Sequence, residues 1–181
     1  MELLFATSNA HKFEEASAML LARGIKLRRL PFEHREIRSD SLEEIAREAV
    51  DAAFRKCGKP VFVEDTGLFV EALDGFPGTY SGWALKKIGY QGLLKLLSGV
   101  DERSAYFEAC IAYHDGNGVS VFRGRCDGAI TEEPAGDGGF GFDPVFVPSG
   151  HSQTFAQNIP LKNKLSHRYK SLLEFSKSLY S

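Results

Sequence analysis

Two acids, Glu64 and Asp65, stand side by side where an apolar run, Val61-Phe62-Val63, gives way to Thr66-Gly67 and a second apolar run, Leu68-Phe69-Val70. The first run reads as a buried strand that ends on the acids. An ionised carboxylate at an apolar strand end loses hydration, and a metal ion, a cationic ligand group or a hydrogen-bonding substrate would compensate it. The plainer reading is a solvated strand end. Three further stretches carry chemistry that matches the acids. Thr7-Ser8-Asn9 separates a strand-like segment, residues 2–7, from Phe13, Ala16, Ser17 and Leu20 at helical spacing, with Lys12 in the helix's first turn. Helix N-termini expose unpaired N–H groups and attract anions. A lysine there opposes the helix dipole unless an anion is bound. Ser166-His167-Arg168 repeats the arrangement, a helix cap followed by two cations. Residues 136–143 are glycine-rich, and their backbone could approach a flat ligand closely while Phe140 and Phe142 offer rings for stacking. Singly, these are a cap, a solvated charge or a bare turn. Together they suit a polyanion and a metal.

The elements that must position these residues follow from periodicity. Residues 26–31 read as a second strand, and residues 33–40 are polar, with Glu33, Glu36 and Asp40. Ser41 with Glu44 forms a capping box, and Leu42, Ile45, Ala46, Ala49, Val50 and Ala53 make the apolar stripe of a helix that stops near Gly58. Residues 73–83 form a turn-rich loop containing Phe76, Tyr80 and Trp83, suited to a lid or a partner surface. A short helix is expected over 90–97. Residues 104–113 alternate as a strand, Asp115-Gly116-Asn117-Gly118 turns, residues 119–125 return, and Asp127-Gly128 turns again into residues 129–131. A strand–helix–strand start followed by antiparallel strands predicts a mixed sheet.

Composition bounds the function. The 181 residues point to a single domain, 1–181, with 43% hydrophobic residues to fill a core. A net charge of −2 exerts no general pull on nucleic acid or anionic membrane, so neither is an expected partner. The sequence contains no apolar run near a membrane span and no signal-peptide pattern, and a cytoplasmic protein is expected. Cys57, Cys110 and Cys126 are odd in number and far apart, which reads as reduced core thiols rather than a zinc site.

Five motifs then carry a resemblance: Thr7-Ser8-Asn9-x-x-Lys12, Glu64-Asp65-Thr66-Gly67-Leu68, Phe76-Pro77-Gly78-x-Tyr80-Ser81, Gly138-Gly139-Phe140-Gly141-Phe142-Asp143-Pro144 and Ser166-His167-Arg168. In this order and spacing they resemble the inosine-triphosphate pyrophosphatase family over nearly the whole chain. The resemblance implies an α/β fold with a central twisted mixed sheet, flanking helices and two lobes around an active-site cleft. It implies a homodimer. It also implies Mg2+-dependent hydrolysis of ITP, dITP and XTP to the monophosphate and pyrophosphate, which cleanses the nucleotide pool. Residue by residue, Thr7, Ser8, Asn9, Ala10, His11 and Lys12 would hold the triphosphate. Asp65 matches a metal carboxylate and proton acceptor, Glu64 is the other half of the pair, and Glu36 matches a second metal carboxylate. Thr66 replaces a more frequent serine and keeps the hydroxyl. Phe140, Gly141, Phe142 and Asp143 would pack around the base, and Lys162, His167 and Arg168 would meet its edge. One departure stands out. Many members carry Asn-Ala-x-x-Lys-Ala on the second helix, where this chain has Glu48-Ala49-Val50-Asp51-Ala52-Ala53, so the lysine is absent and Lys56 lies one turn on.

The expected chemistry is attack of a metal-activated water on the α-phosphorus, with a carboxylate taking the proton. Successive strand residues face opposite ways, so both acids reach one metal only if the strand ends or bulges at Asp65, which ranks Asp65 above Glu64. Cationic donors at the base edge would donate to the 6-oxo group of hypoxanthine or xanthine and leave adenine's amine unpaired. Three other readings remain open: an aspartic protease, from the lone Asp65-Thr66-Gly67; a septum-formation-type pyrophosphatase; and a nucleotide sensor without turnover.

Overall fold

The first strand, β1 (Glu2–Ala6), buries four of its five residues and runs parallel to β2 (Lys26–Leu30), with α1 (Ala10–Leu21) as the crossover. This computed structural model describes residues 1–34 and 37–180. Helix α2 (Leu42–Cys57) buries the stripe read from the sequence. Ser41 caps it by accepting the Glu44 N–H at 3.3 Å, and Gly58 closes it in the left-handed conformation, φ 61°. The capping box is modified, because the Glu44 carboxylate accepts the Ser39 hydroxyl at 2.6 Å.

Strand β3 (Val61–Val70) pairs parallel with β1, Phe5 opposite Phe62. The remaining elements are β4 (Pro77–Gly78), α3 (Ser81–Leu96), β5 (Ser104–His114), β6 (Val119–Ile130), β7 (Phe146–Pro148), α4 (Ile159–Leu165) and α5 (His167–Ser178). The sheet is mixed and seven-stranded, ordered β2-β1-β3-β5-β6-β7, with β4 antiparallel to β3.

The chain divides into two compact units, the first made of Met1–Asp65, Ala109–Gly124 and Arg168–Ser181, the second of Thr66–Glu108 and Arg125–His167. Each unit has its own core. In the first, Phe5 stacks on Phe62 at 4.4 Å amid Leu20, Ile25, Ile111, Leu172 and Phe175. In the second, Leu68, Leu93, Leu97, Phe107, Phe146 and Phe155 pack together.

Four expectations are corrected. β3 does not end on the acids; it continues through them for ten residues. Asp127-Gly128 is not a turn. Gly128 lies within β6 opposite Pro148, where a Cβ would stand 2.2 Å from the Val147 carbonyl oxygen, so the glycine serves close strand approach. The turn-rich loop closes early, since α3 already starts at Ser81, whose buried hydroxyl accepts the Leu68 N–H and donates to the Gly78 carbonyl, both at 2.7 Å. Gly89, φ 64°, kinks α3 where the sequence suggested a separate helix beginning.

Candidate functional site

In the first unit, residues 7–12 link β1 to α1. Asn9, rather than Ser8, caps the helix, its side-chain oxygen accepting the Lys12 N–H at 3.1 Å. The Thr7 hydroxyl accepts the Asn9 N–H at 3.1 Å. Ser8 turns its hydroxyl away to the Phe32 carbonyl, 2.6 Å. Ala10 and His11 are exposed. The Lys12 ammonium reaches β3, donating to the Glu64 carbonyl at 3.1 Å and standing 3.7 Å from the Glu64 carboxylate.

Glu64 is fully buried at its side chain and is held by Arg168. Nε of Arg168 donates to both Glu64 carboxylate oxygens, at 3.1 and 2.9 Å, and Nη2 to Oε1 at 2.8 Å. Nη1 donates to Glu15 at 2.6 Å. Burial acts to lower the Arg168 pKa, but the charges and hydrogen bonds of Glu64 and Glu15 outweigh it and push the value up. Arg168 is therefore a fixed cation. Such a Glu64 is a counter-ion, because taking a proton would cost it the contact with two cations. Asp65 is half-buried and lies on the opposite face of the strand.

The donor set fits a magnesium ion. Mg2+ takes one or two carboxylates and completes its shell with water and phosphate oxygens. Asp65 supplies one carboxylate. Glu36, the expected second, lies outside the described residues. Among the described residues no group of three or more metal-ligating side chains occurs.

The second unit holds another cluster. Lys162, on α4, is 1% exposed, and its ammonium donates to the Asp143 carboxylate at 2.6 Å. The same Asp143 oxygen accepts the Phe140 N–H at 2.8 Å, and the Lys162 ammonium stands 4.4 Å from the centre of the Phe140 ring. Gly139, φ 69°, is needed here, since a Cβ would lie 2.2 Å from that oxygen. The half-buried Phe140 ring is thus held against the Lys162 charge. Phe142 is corrected from a base contact to a core residue, 5% exposed and packed among Leu93, Phe107 and Phe146. His167 is buried with its ring stacked on Phe107, 4.6 Å between centroids. Gly141 is half-buried beside Phe142, and Thr66 is half-buried on β3.

Sequence reasoning passed over Glu15 and Arg29. Glu15 lies three residues after Lys12, one helical turn along α1, and that spacing was the available signal. Arg29 donates from Nε to the Thr7 carbonyl at 3.1 Å and from Nη2 to the Ser8 carbonyl. Nothing local in the Lys26–Leu30 strand marks it.

An α/β protein in which a cation-bearing helix start meets a strand carrying paired acids belongs to the class that handles polyanionic small molecules. Comparison narrows the class. The Ham1 family model matches residues 3–178. The dITP/XTP pyrophosphatase of Thermococcus kodakarensis is 48% identical over 177 residues, spanning 97% of this chain and 96% of that protein. The dITP/XTP pyrophosphatase of Hyperthermus butylicus is 47% identical over 178 residues, spanning 98% and 94%. A solved Ham1 protein from Coxiella burnetii superposes with a TM-score of 0.87 at 28% identity, covering 99% of this chain and 98% of that one. The chain belongs to the Ham1 family.

Proposed function

We infer that this protein hydrolyses the triphosphates of deaminated purines, dITP, ITP and XTP, to the monophosphate and pyrophosphate, and so clears them from the nucleotide pool. The observation that carries the reading is the reach of Lys12 from the first turn of α1 to the backbone of Glu64 at 3.1 Å, which sets an anion-binding loop beside the acid pair. Relatives named dITP/XTP pyrophosphatase support the choice of substrate.

In this reading the N–H groups and side chains of residues 7–12 bind the triphosphate. Asp65 would hold Mg2+, with Glu36 as the second carboxylate, and Asp65 orients the attacking water. Such an ion would supply charge neutralisation for the leaving pyrophosphate and acidify the water. Asp65 accepts the water's proton, and Glu64 keeps Arg168 and Lys12 in place. Phe140, backed by Lys162, is the stacking surface for the purine. Lys162 is the candidate donor to its 6-oxo group, and His167 and Arg168 act by holding the segment. Pairing of two copies is part of the same reading, and the exposed Phe76, Tyr80, Trp83 and Ile88 are its candidate surface, aromatic side chains being enriched at interface centres.

The test is pyrophosphate release from dITP, XTP and ATP side by side, with Mg2+ and with chelator. Metal-dependent turnover of dITP and XTP, with ATP slower by about a hundredfold or more, is expected. A folded protein that binds dITP without turnover would overturn the reading in favour of a sensor.

A further inference from the structure

We propose that Arg29 is a positioning residue for triphosphate binding. Its guanidinium holds the Thr7 and Ser8 carbonyls so that the loop backbone, the Ser8 N–H above all, stays in place for the phosphates. The inference rests on the nucleotide reading above and adds to it a residue outside the ligand-contacting loop.

The peptide unit is planar and trans, so fixing a carbonyl fixes the opposed direction of the following N–H. Arg29 fixes two consecutive units, through Nε to the Thr7 carbonyl at 3.1 Å and Nη2 to the Ser8 carbonyl. The N–H groups so oriented belong to Ser8 and Asn9; that of Asn9 is taken up by the Thr7 hydroxyl at 3.1 Å, so the Ser8 N–H is the one held for a phosphate. The Thr7 N–H is itself tied to the Leu30 carbonyl at 3.1 Å, and the Ser8 hydroxyl to the Phe32 carbonyl at 2.6 Å. β2 and the residues just after it therefore brace the loop at four points, and Arg29 makes two of them.

The choice of arginine has a physical reason. Two carbonyls of adjacent peptide units call for donors diverging from one rigid plane, which a guanidinium offers and an ammonium does not. Arg29 also brings a full charge. Among the described residues no carboxylate forms an ion pair with it. Donation to a carbonyl further polarises that peptide unit and strengthens its N–H as a donor. Ser8 gains a revised role, since its side chain pins the loop and only its backbone faces a ligand.

The experiment is calorimetric titration of inorganic tripolyphosphate into the whole wild-type protein, Arg29→Gln and Arg29→Lys, with melting curves and steady-state kinetics on dITP. Loss of a charge-assisted brace is expected to weaken tripolyphosphate binding by about tenfold or more in Arg29→Gln. Arg29→Lys should fall between Arg29→Gln and wild type, because charge remains while the fork is lost. KM for dITP should rise by a similar factor while kcat holds within about twofold, the pattern of binding lost equally in ground and transition states. Wild-type tripolyphosphate affinity in Arg29→Gln would overturn the proposal. So would wild-type affinity in Arg29→Lys, which would leave charge alone as the cause, or a lower melting point with unchanged KM, which would make Arg29 merely structural. Wild-type protein that neither binds tripolyphosphate nor turns over dITP would bring down the nucleotide reading itself; a competent wild type with indifferent variants sinks only the role of Arg29.

Discussion

Replacing Glu64 by glutamine separates the two acids of the pair. In the folded protein the Glu64 side chain is fully buried and Arg168 is 3% exposed, joined by three hydrogen bonds, with Lys12 at 3.7 Å. Glutamine keeps the volume and one acceptor oxygen, but it removes the charge and turns an NH2 group towards a guanidinium. Arg168 then retains Glu15 alone. Breaking a buried pair by removing one partner costs about 3–5 kcal/mol, and the surviving Glu15 contact argues for the lower end, about 3 kcal/mol. For a chain of this length each kcal/mol lowers Tm by about 2–4 °C, so Glu64→Gln should melt about 6–12 °C below wild type by calorimetry. Turnover of dITP, measured at a temperature where both proteins are folded, should survive in part, because Asp65 carries the proton. Asp65→Asn should show the reverse, a nearly unchanged Tm with turnover lost by about a hundredfold or more. Glu64→Gln at wild-type Tm and without turnover, beside an active Asp65→Asn, would refute the assignment.

The buried pair in the second unit should behave similarly. Lys162→Met leaves the Asp143 carboxylate without its ammonium and should cost about 3 kcal/mol in urea denaturation, whereas Lys162→Met with Asp143→Asn should cost less than the sum of the single changes by about 1 kcal/mol or more. On the surface, Glu43 is held below its ordinary value of 4.5 chiefly by the hydrogen bond from Arg123, then by that from Arg47. A lowered folded-state value means that its stabilisation is complete above the unfolded value and is lost as pH falls through the folded one. NMR titration should place the Glu43 midpoint below 4.5, and Glu43→Gln should lower stability by only a fraction of a kcal/mol near neutral pH, with the difference from wild type vanishing in acid.

The parts legible in the sequence are those whose causes are local. Ser41, the stripe from Leu42 to Ala53 and Gly58 each act within a turn of where they stand, and α2 forms as read. Strand, polar loop and helix over residues 2–21 follow for the same reason. The failures have distant causes. The acids seemed to end β3 because a charge inside an apolar strand looked uncompensated, yet Arg168, 104 residues further on, compensates Glu64. Gly128 looked like a turn because the strand that crowds it, β7, lies far along the chain. The short helix expected over 90–97 is the second half of α3, which Gly89 kinks without ending. At the site, residue types were legible and their commitments were not. Lys162 and Arg168 were read as cations facing a base edge, and both turn out to be bound to buried carboxylates.

Those commitments bear on the charge that the proposed metal would supply. In the first unit Lys12, Arg29 and Arg168 supply three positive charges around the loop and the strand, while Glu15, Glu64 and Asp65 supply three negative ones. The cations expected to attract a triphosphate are balanced before any substrate arrives. Two of them, Lys12 and Arg168, are drawn towards Glu64 at hydrogen-bonding or ion-pair distance. Backbone N–H groups and a helix dipole add only about half a charge. In the proposed reaction a divalent cation bound with the phosphates and Asp65 would supply the positive charge that these side chains lack. The buried carboxylates thus fix the geometry of the cations at the cost of their net charge.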